Sequence, residues 1–185
     1  MEGPGFREYS QHAQSFAVLN GMFGKKEAAD ILRRTLSDPD VIQCSFSTAY
    51  EVFRAFEWAG IYGETASLFD RWIRLLSLHC TTCPEEPQKG RSECHAWSAL
   101  PLYEMVRVMA GVRCEKPGWE KIIIRPDLSF IPSLKGTICL PKGEIRIDYR
   151  KDPEEYRIWL PEGVKAVFEW PSGRRQNLDG GMNIL

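Results

Sequence analysis

A chain of 185 residues, 43% of them hydrophobic, is long enough to bury a core as one domain or two small ones, and too apolar to be a disordered tail. Its 24 basic and 25 acidic side chains nearly cancel, so no global field recruits nucleic acid or an anionic membrane surface, and no apolar run approaches the ~20 residues that span a bilayer. Met1-Glu2-Gly3-Pro4-Gly5-Phe6 lacks the charged-then-apolar order of a signal peptide, which as written implies a cytoplasmic chain, and six cysteines are too sparse for a disulfide scaffold, so reduced thiols are expected.

From Tyr9 to about Val112 the apolar residues recur at spacings of three and four, as in Phe16, Leu19 and Phe23, then Ala28, Ile31, Leu32 and Leu36. These are amphipathic helices. The first opens on Ser10-Gln11-His12-Ala13-Gln14, polar residues of the kind that cap helix starts. Breaks at Asn20-Gly21, Ser37-Asp38-Pro39-Asp40, Gly60-Ile61-Tyr62-Gly63 and the Thr81–Glu93 loop leave about five helices joined as antiparallel hairpins. Phe53, Phe56 and Trp58 on the third helix are expected in the core, the alternative being that one of them faces a cleft.

After Gly111 the period changes. Lys121–Pro126, Gly136–Leu140, Glu144–Tyr149, Tyr156–Leu160 and Ala166–Trp170 are short, β-rich and in several cases strictly alternating. Turn formers at Pro141-Lys142-Gly143, Lys151-Asp152-Pro153, Pro161-Glu162-Gly163 and Pro171-Ser172-Gly173 separate them, as in a small antiparallel β-sandwich. The expected fold class is therefore α+β in two segregated parts, residues 1–114 helical and 115–185 β, divided near Glu115-Lys116-Pro117-Gly118.

The chemistry concentrates in Thr81–Ala99, a loop between helical segments that holds Glu85, Glu86, Glu93, His95 and Trp97. A carboxylate that deprotonates water, an imidazole that bonds hydroxyls and an indole that stacks on a pyranose together suit a carbohydrate site. Pro84 and Pro87 would stiffen the backbone that carries the carboxylate. Each residue also has a structural reading: Glu85, Glu86 and Glu93 as a solvated acidic loop, Trp97 as core packing, His95 as a satisfied imidazole. His79, Cys80, Cys83, Cys94 and His95 offer a third reading as tetrahedral zinc ligands, although the adjacent Cys94-His95 pair is not spaced like a zinc knuckle.

Three stretches together resemble the C-terminal part of bacterial α-L-rhamnosidases, glycoside hydrolase family 78: Ser10-Gln11-His12-Ala13-Gln14, Thr81-Thr82-Cys83-Pro84-Glu85 leading to Arg91-Ser92-Glu93-Cys94-His95-Ala96-Trp97-Ser98-Ala99, and Pro117-Gly118-Trp119-Glu120 before Ile124-Arg125-Pro126. The resemblance runs over nearly the whole chain. It implies a partial (α/α)6 toroid, contributing about five helices, followed by a C-terminal β-sandwich. It also implies an inverting hydrolase, in which one carboxyl group protonates the leaving oxygen and another activates water from the opposite face. By position in Thr-Thr-x-x-Glu, Glu85 matches the family's general base, with Glu86 as the competitor; His95 matches the histidine that contacts rhamnose, and Trp97 lies beside it. No cofactor and no metal are implied. The general acid belongs to the preceding half of the toroid and has no counterpart before Tyr9. The chain alone is thus expected to be inactive, its partners being rhamnose-containing glycans or glycosides and the missing N-terminal half or a second subunit, the alternative being a non-catalytic carbohydrate-binding or assembly module.

Overall fold

The computed structural model describes residues 9–86 and 91–185; the Met1–Phe6 stretch and Pro87 as a loop stiffener lie outside them. Helices come first and strands second, as expected for an α+β chain, and the chain divides into two compact units, Met1–Pro101 and Leu102–Leu185.

In the first unit, β1 (Tyr9–Ser10) and β2 (Val41–Ile42) form a two-residue parallel bridge. The helices are α1 (Gln11–Leu19), α2 (Lys25–Ser37), α3 (Ala49–Ala59) and α4 (Asp70–Ser77), and α5 (Leu100–Glu104) begins at the unit's end. The polar start of α1 acts as read: Ser10 is the N-cap, its Oγ accepting the Ala13 amide at 3.3 Å. Helix α3 is the hub, with Val52, Phe53, Ala55 and Phe56 wholly buried and α1 and α2 packed against it. It stops at Gly60, whose φ of +78° is a left-handed cap, while its amide returns to the carbonyls of Glu57 and Phe56. An aromatic cluster carries the packing on toward α4: Phe53 meets Phe69 edge-on at 4.9 Å, and Phe46 lies 4.6 Å from Trp72.

Trp58 departs from the core expectation. It is 38% exposed, because two residues beyond Phe56 the helix has turned by about 200°. Its ring instead lies 6.0 Å from the Lys25 ammonium.

The second unit is a two-sheet sandwich. Its strands are β3 (Val112–Lys116), β4 (Lys121–Ile124), β5 (Ser133–Leu140), β6 (Gly143–Lys151), β7 (Glu154–Leu160), β8 (Ala166–Glu169), β9 (Arg175–Leu178) and β10 (Gly181–Ile184). One sheet has the order β10-β7-β6-β5 and is antiparallel throughout; the other has the order β3-β4-β8-β9. In the second sheet the central pair β4 and β8 runs parallel, flanked by antiparallel neighbours. Alternation sets the faces: Ile145, Ile147 and Tyr149 of β6 and Tyr156, Ile158 and Leu160 of β7 point inward against Ile122, Ile124, Ala166, Phe168 and Leu178. Burial pushes the Tyr149 phenol far above its ordinary pKa, and its hydroxyl donates to the Ala110 carbonyl at 3.3 Å, so it stays protonated. Val112–Lys116, whose polar residues conceal a strand, pairs with β4.

Gly111 enters β3 with φ +71°, and a Cβ there would stand 2.1 Å from the carbonyl carbon and oxygen of Arg125 and 2.3 Å from the Pro126 nitrogen. All of these are backbone atoms, which have little room to yield. Gly111→Ala is therefore expected to destabilise the β unit by about 3 kcal/mol, seen as a lowered urea midpoint; an unchanged midpoint would contradict the close approach.

Candidate functional site

Glu85, His95 and Trp97 come together in the first unit on the loop between α4 and α5. Two stretches of that loop run side by side: the Glu85 amide donates to the Ser92 carbonyl at 2.8 Å, and the His95 amide donates to the Cys83 carbonyl at 2.6 Å. The Thr82 hydroxyl donates to the Glu93 carbonyl.

Side chains behind the loop hold this ladder. The Trp72 indole on α4 donates to the Ser98 carbonyl at 2.8 Å. Ser98 is fully buried, and its hydroxyl is shared between the carbonyls of Pro84, at 2.6 Å, and His95, at 2.9 Å. The Trp97 indole donates to the Glu85 carbonyl at 3.1 Å. Carbonyls flanking Glu85 are thus satisfied by fixed donors, which removes backbone freedom where the carboxylate is carried.

The structure separates the acidic residues of the loop. Glu85 is buried, at 7% exposure, whereas Glu86 and Glu93 are exposed. The Glu85 carboxylate receives three N–H donors from one residue: Oε2 from the Arg91 amide at 2.9 Å and its Nε at 3.3 Å, and Oε1 from Nη2 at 2.7 Å. Hydrogen bonding from the Arg91 guanidinium and then from the Arg91 amide holds this carboxyl below the usual glutamate range, overcoming the opposing effect of burial, with a further Coulombic contribution from His95. The His95 and Trp97 rings stack at 4.0 Å and 29°. The His95 Nδ1 is buried and has no hydrogen-bond partner among the described residues, and Trp97 remains 41% exposed.

The zinc arrangement does not assemble: among the described residues no group of three or more histidine, cysteine, aspartate or glutamate side chains is placed to hold a metal ion. Nor is any helix among them long and apolar enough to cross a membrane. Three residues of the site were not singled out from the sequence. Arg91 and Ser98 stand inside the Arg91–Ala99 stretch and were legible as part of it, whereas nothing local marks Trp72, which reaches the loop across 26 residues.

The lowered Glu85 pKa makes the Arg91 pairing a pH-dependent source of stability. It is fully present above the ordinary glutamate range and is lost as pH falls through the lowered folded value. Arg91→Ala should raise the Glu85 carboxyl titration toward the ordinary glutamate value, followed by carbon-detected NMR. A titration that stays low in the variant would assign the shift to another group.

Residues 111–184 match the family model described as the bacterial alpha-L-rhamnosidase C-terminal domain. No match is found among curated protein sequences. Among solved structures, native α-L-rhamnosidase from Aspergillus terreus superposes with a TM-score of 0.80 at 13% identity, over 95% of this chain and 23% of that one. The family 78 rhamnosidase of Bacillus sp. GL1 gives 0.68 at 24% identity, over 95% and 20%. The Streptomyces avermitilis α-L-rhamnosidase complexed with L-rhamnose gives 0.76 at 14% identity, over 94% and 21%. The chain therefore spans about a fifth to a quarter of the length of these structures. Over residues 111–184 it matches the C-terminal domain family of the bacterial alpha-L-rhamnosidases, and as a whole it shares the fold of the C-terminal part of such enzymes.

Proposed function

We propose that this chain supplies the water-activating side of an α-L-rhamnosidase-like inverting site, with residues 1–114 contributing the end of an (α/α)6 toroid and residues 115–185 the C-terminal sandwich. The observation that carries this reading is the buried Glu85 carboxylate, held with His95 and Trp97 on one cross-braced loop. A water-activating base must be ionised, and the lowered Glu85 pKa meets that condition. It must also have a lone pair free for the water proton, and here Arg91 occupies both oxygens. The Arg91 side chain is 89% exposed, so exchanging this ion pair for water has a small cost and would free Oε1, while the Arg91 amide keeps Oε2.

His95 would then bond a sugar hydroxyl, and the exposed part of the Trp97 ring would offer apolar surface to a pyranose. The sugar is a rhamnoside on this reading, since one structure of similar fold is a complex with L-rhamnose. Inversion needs a second carboxyl group about 6.5–9.5 Å from the base, and the proposed source is a preceding half of the toroid.

A second reading, an assembly module that pairs with another chain, is favoured by apolar side chains left in solvent on α4 and its C-terminal end: Ile73 at 59%, Leu76 at 71% and Leu78 at 54% exposure. Weak sugar binding without any rescue of activity by an upstream half would favour a non-catalytic binder instead.

The purified 185-residue chain is expected to release no aryl group from an aryl rhamnoside. Mixed with an upstream half that carries the acid, it should gain activity, which Glu85→Gln lowers by about 10²–10⁴-fold. Turnover by the chain alone, abolished by Glu85→Gln, would overturn the claim that the site is incomplete.

A further inference from the structure

The loop that carries Glu85 also brings the backbones of two cysteines together, and nothing in the proposed hydrolytic chemistry uses their thiols. Glu85 sits opposite Ser92 through its 2.8 Å amide hydrogen bond. Stepping outward along an antiparallel pair, Pro84 comes opposite Glu93 and Cys83 opposite Cys94.

The ladder then shifts by one residue, and the cause is local. The Cys94 amide is taken by the Ser92 hydroxyl at 3.2 Å, so the Cys83 carbonyl draws its donor from His95 at 2.6 Å instead. This is the geometry of a bulge, in which Cys94 and His95 together face Cys83. Because the donating amide is bonded directly to Cys94, the backbones of the two cysteines meet at this hydrogen bond, the close approach that a disulfide requires. Both thiols are free; Cys94 is exposed and Cys83 half-buried.

We propose that Cys83 and Cys94 are a redox pair, forming a reversible disulfide that staples the Glu85 loop. The oxidant is a small-molecule disulfide such as oxidised glutathione. The Cys94 thiolate, the more accessible of the two, attacks one sulfur of that disulfide, forming a mixed disulfide and expelling one thiolate, which takes up the proton Cys94 lost. The Cys83 thiolate then attacks the Cys94 sulfur, forming the protein disulfide and expelling the second small thiol with the proton from Cys83. Two protein thiols are oxidised and one small disulfide is reduced to two thiols. The cross-link is a covalent rung beside the Glu85–Ser92 hydrogen bond, so it opposes opening of the ladder by limiting how far the two stretches can separate. This pairing stands on the backbone geometry alone and holds whether or not Glu85 is a catalytic base.

The test is peptide mapping of the purified chain under non-reducing conditions after incubation with oxidised glutathione, with reduced glutathione as the control. The expected result is a peptide linking Cys83 to Cys94 and the loss of two of the six titratable thiols, with both effects absent in Cys94→Ser. Amide hydrogen exchange at Glu85 and His95 should slow about tenfold in the oxidised form. A dominant Cys80–Cys83 link, a glutathione adduct on Cys94 that does not resolve, or exchange rates unchanged by the cross-link would each overturn the proposal.

Discussion

The candidate site depends on one constraint, the need of the loop's carbonyls for donors. Three side chains meet it, with Trp72 reaching the Ser98 carbonyl, Ser98 reaching those of Pro84 and His95, and Trp97 reaching that of Glu85. A loop of this length would ordinarily keep its polar backbone in water and its shape undefined. Here each interaction removes a degree of freedom from the residues on either side of the carboxylate. The brace reaches into the helical core, because Trp72 packs 4.6 Å from Phe46 and 6.4 Å from Phe53. The order of the loop is therefore tied to the aromatic packing of the helices behind it.

Within that frame the electrostatics pull in two directions. Burial raises the pKa of Glu85 while Arg91 lowers it, and Arg91 wins because three of its N–H groups point at the two oxygens. The pairing keeps the residue ionised and at the same time occupies the lone pairs that a base would use. A base at this position would need the guanidinium to leave Oε1, and the Arg91 side chain that would move is 89% exposed.

Much of the fold was legible, for identifiable reasons. In β6 and β7 the period of two is nearly unbroken, and both strands bury every second residue as read. Gly60 and Ser10 are end signals with a direct mechanism, and both act at helix ends. The pattern misleads where local character and tertiary role diverge. Val112–Lys116 carries three charged residues in five and is a strand because β4 lies beside it, while Trp58 is aromatic but faces away from the side of α3 that packs. The parallel pairing of β4 with β8 was not visible either, since strand direction depends on the chain's path between two strands rather than on the residues within them.

By itself the sequence determined the order of helices then strands, the turns between the strands, and the short list of residues able to do acid, base or sugar-binding chemistry. Periodicity, turn chemistry and side-chain type are local properties, and they are readable one segment at a time. Only the tertiary structure decided which acid is buried, that Glu85 rather than Glu86 or Glu93 is held by Arg91, and that Trp72 braces the loop from another helix. It also decided that the Cys83 carbonyl meets the amide next to Cys94, while among the described residues the zinc arrangement does not assemble. Burial, pairing and register are relations between distant segments, and they come into being only when the chain closes on itself.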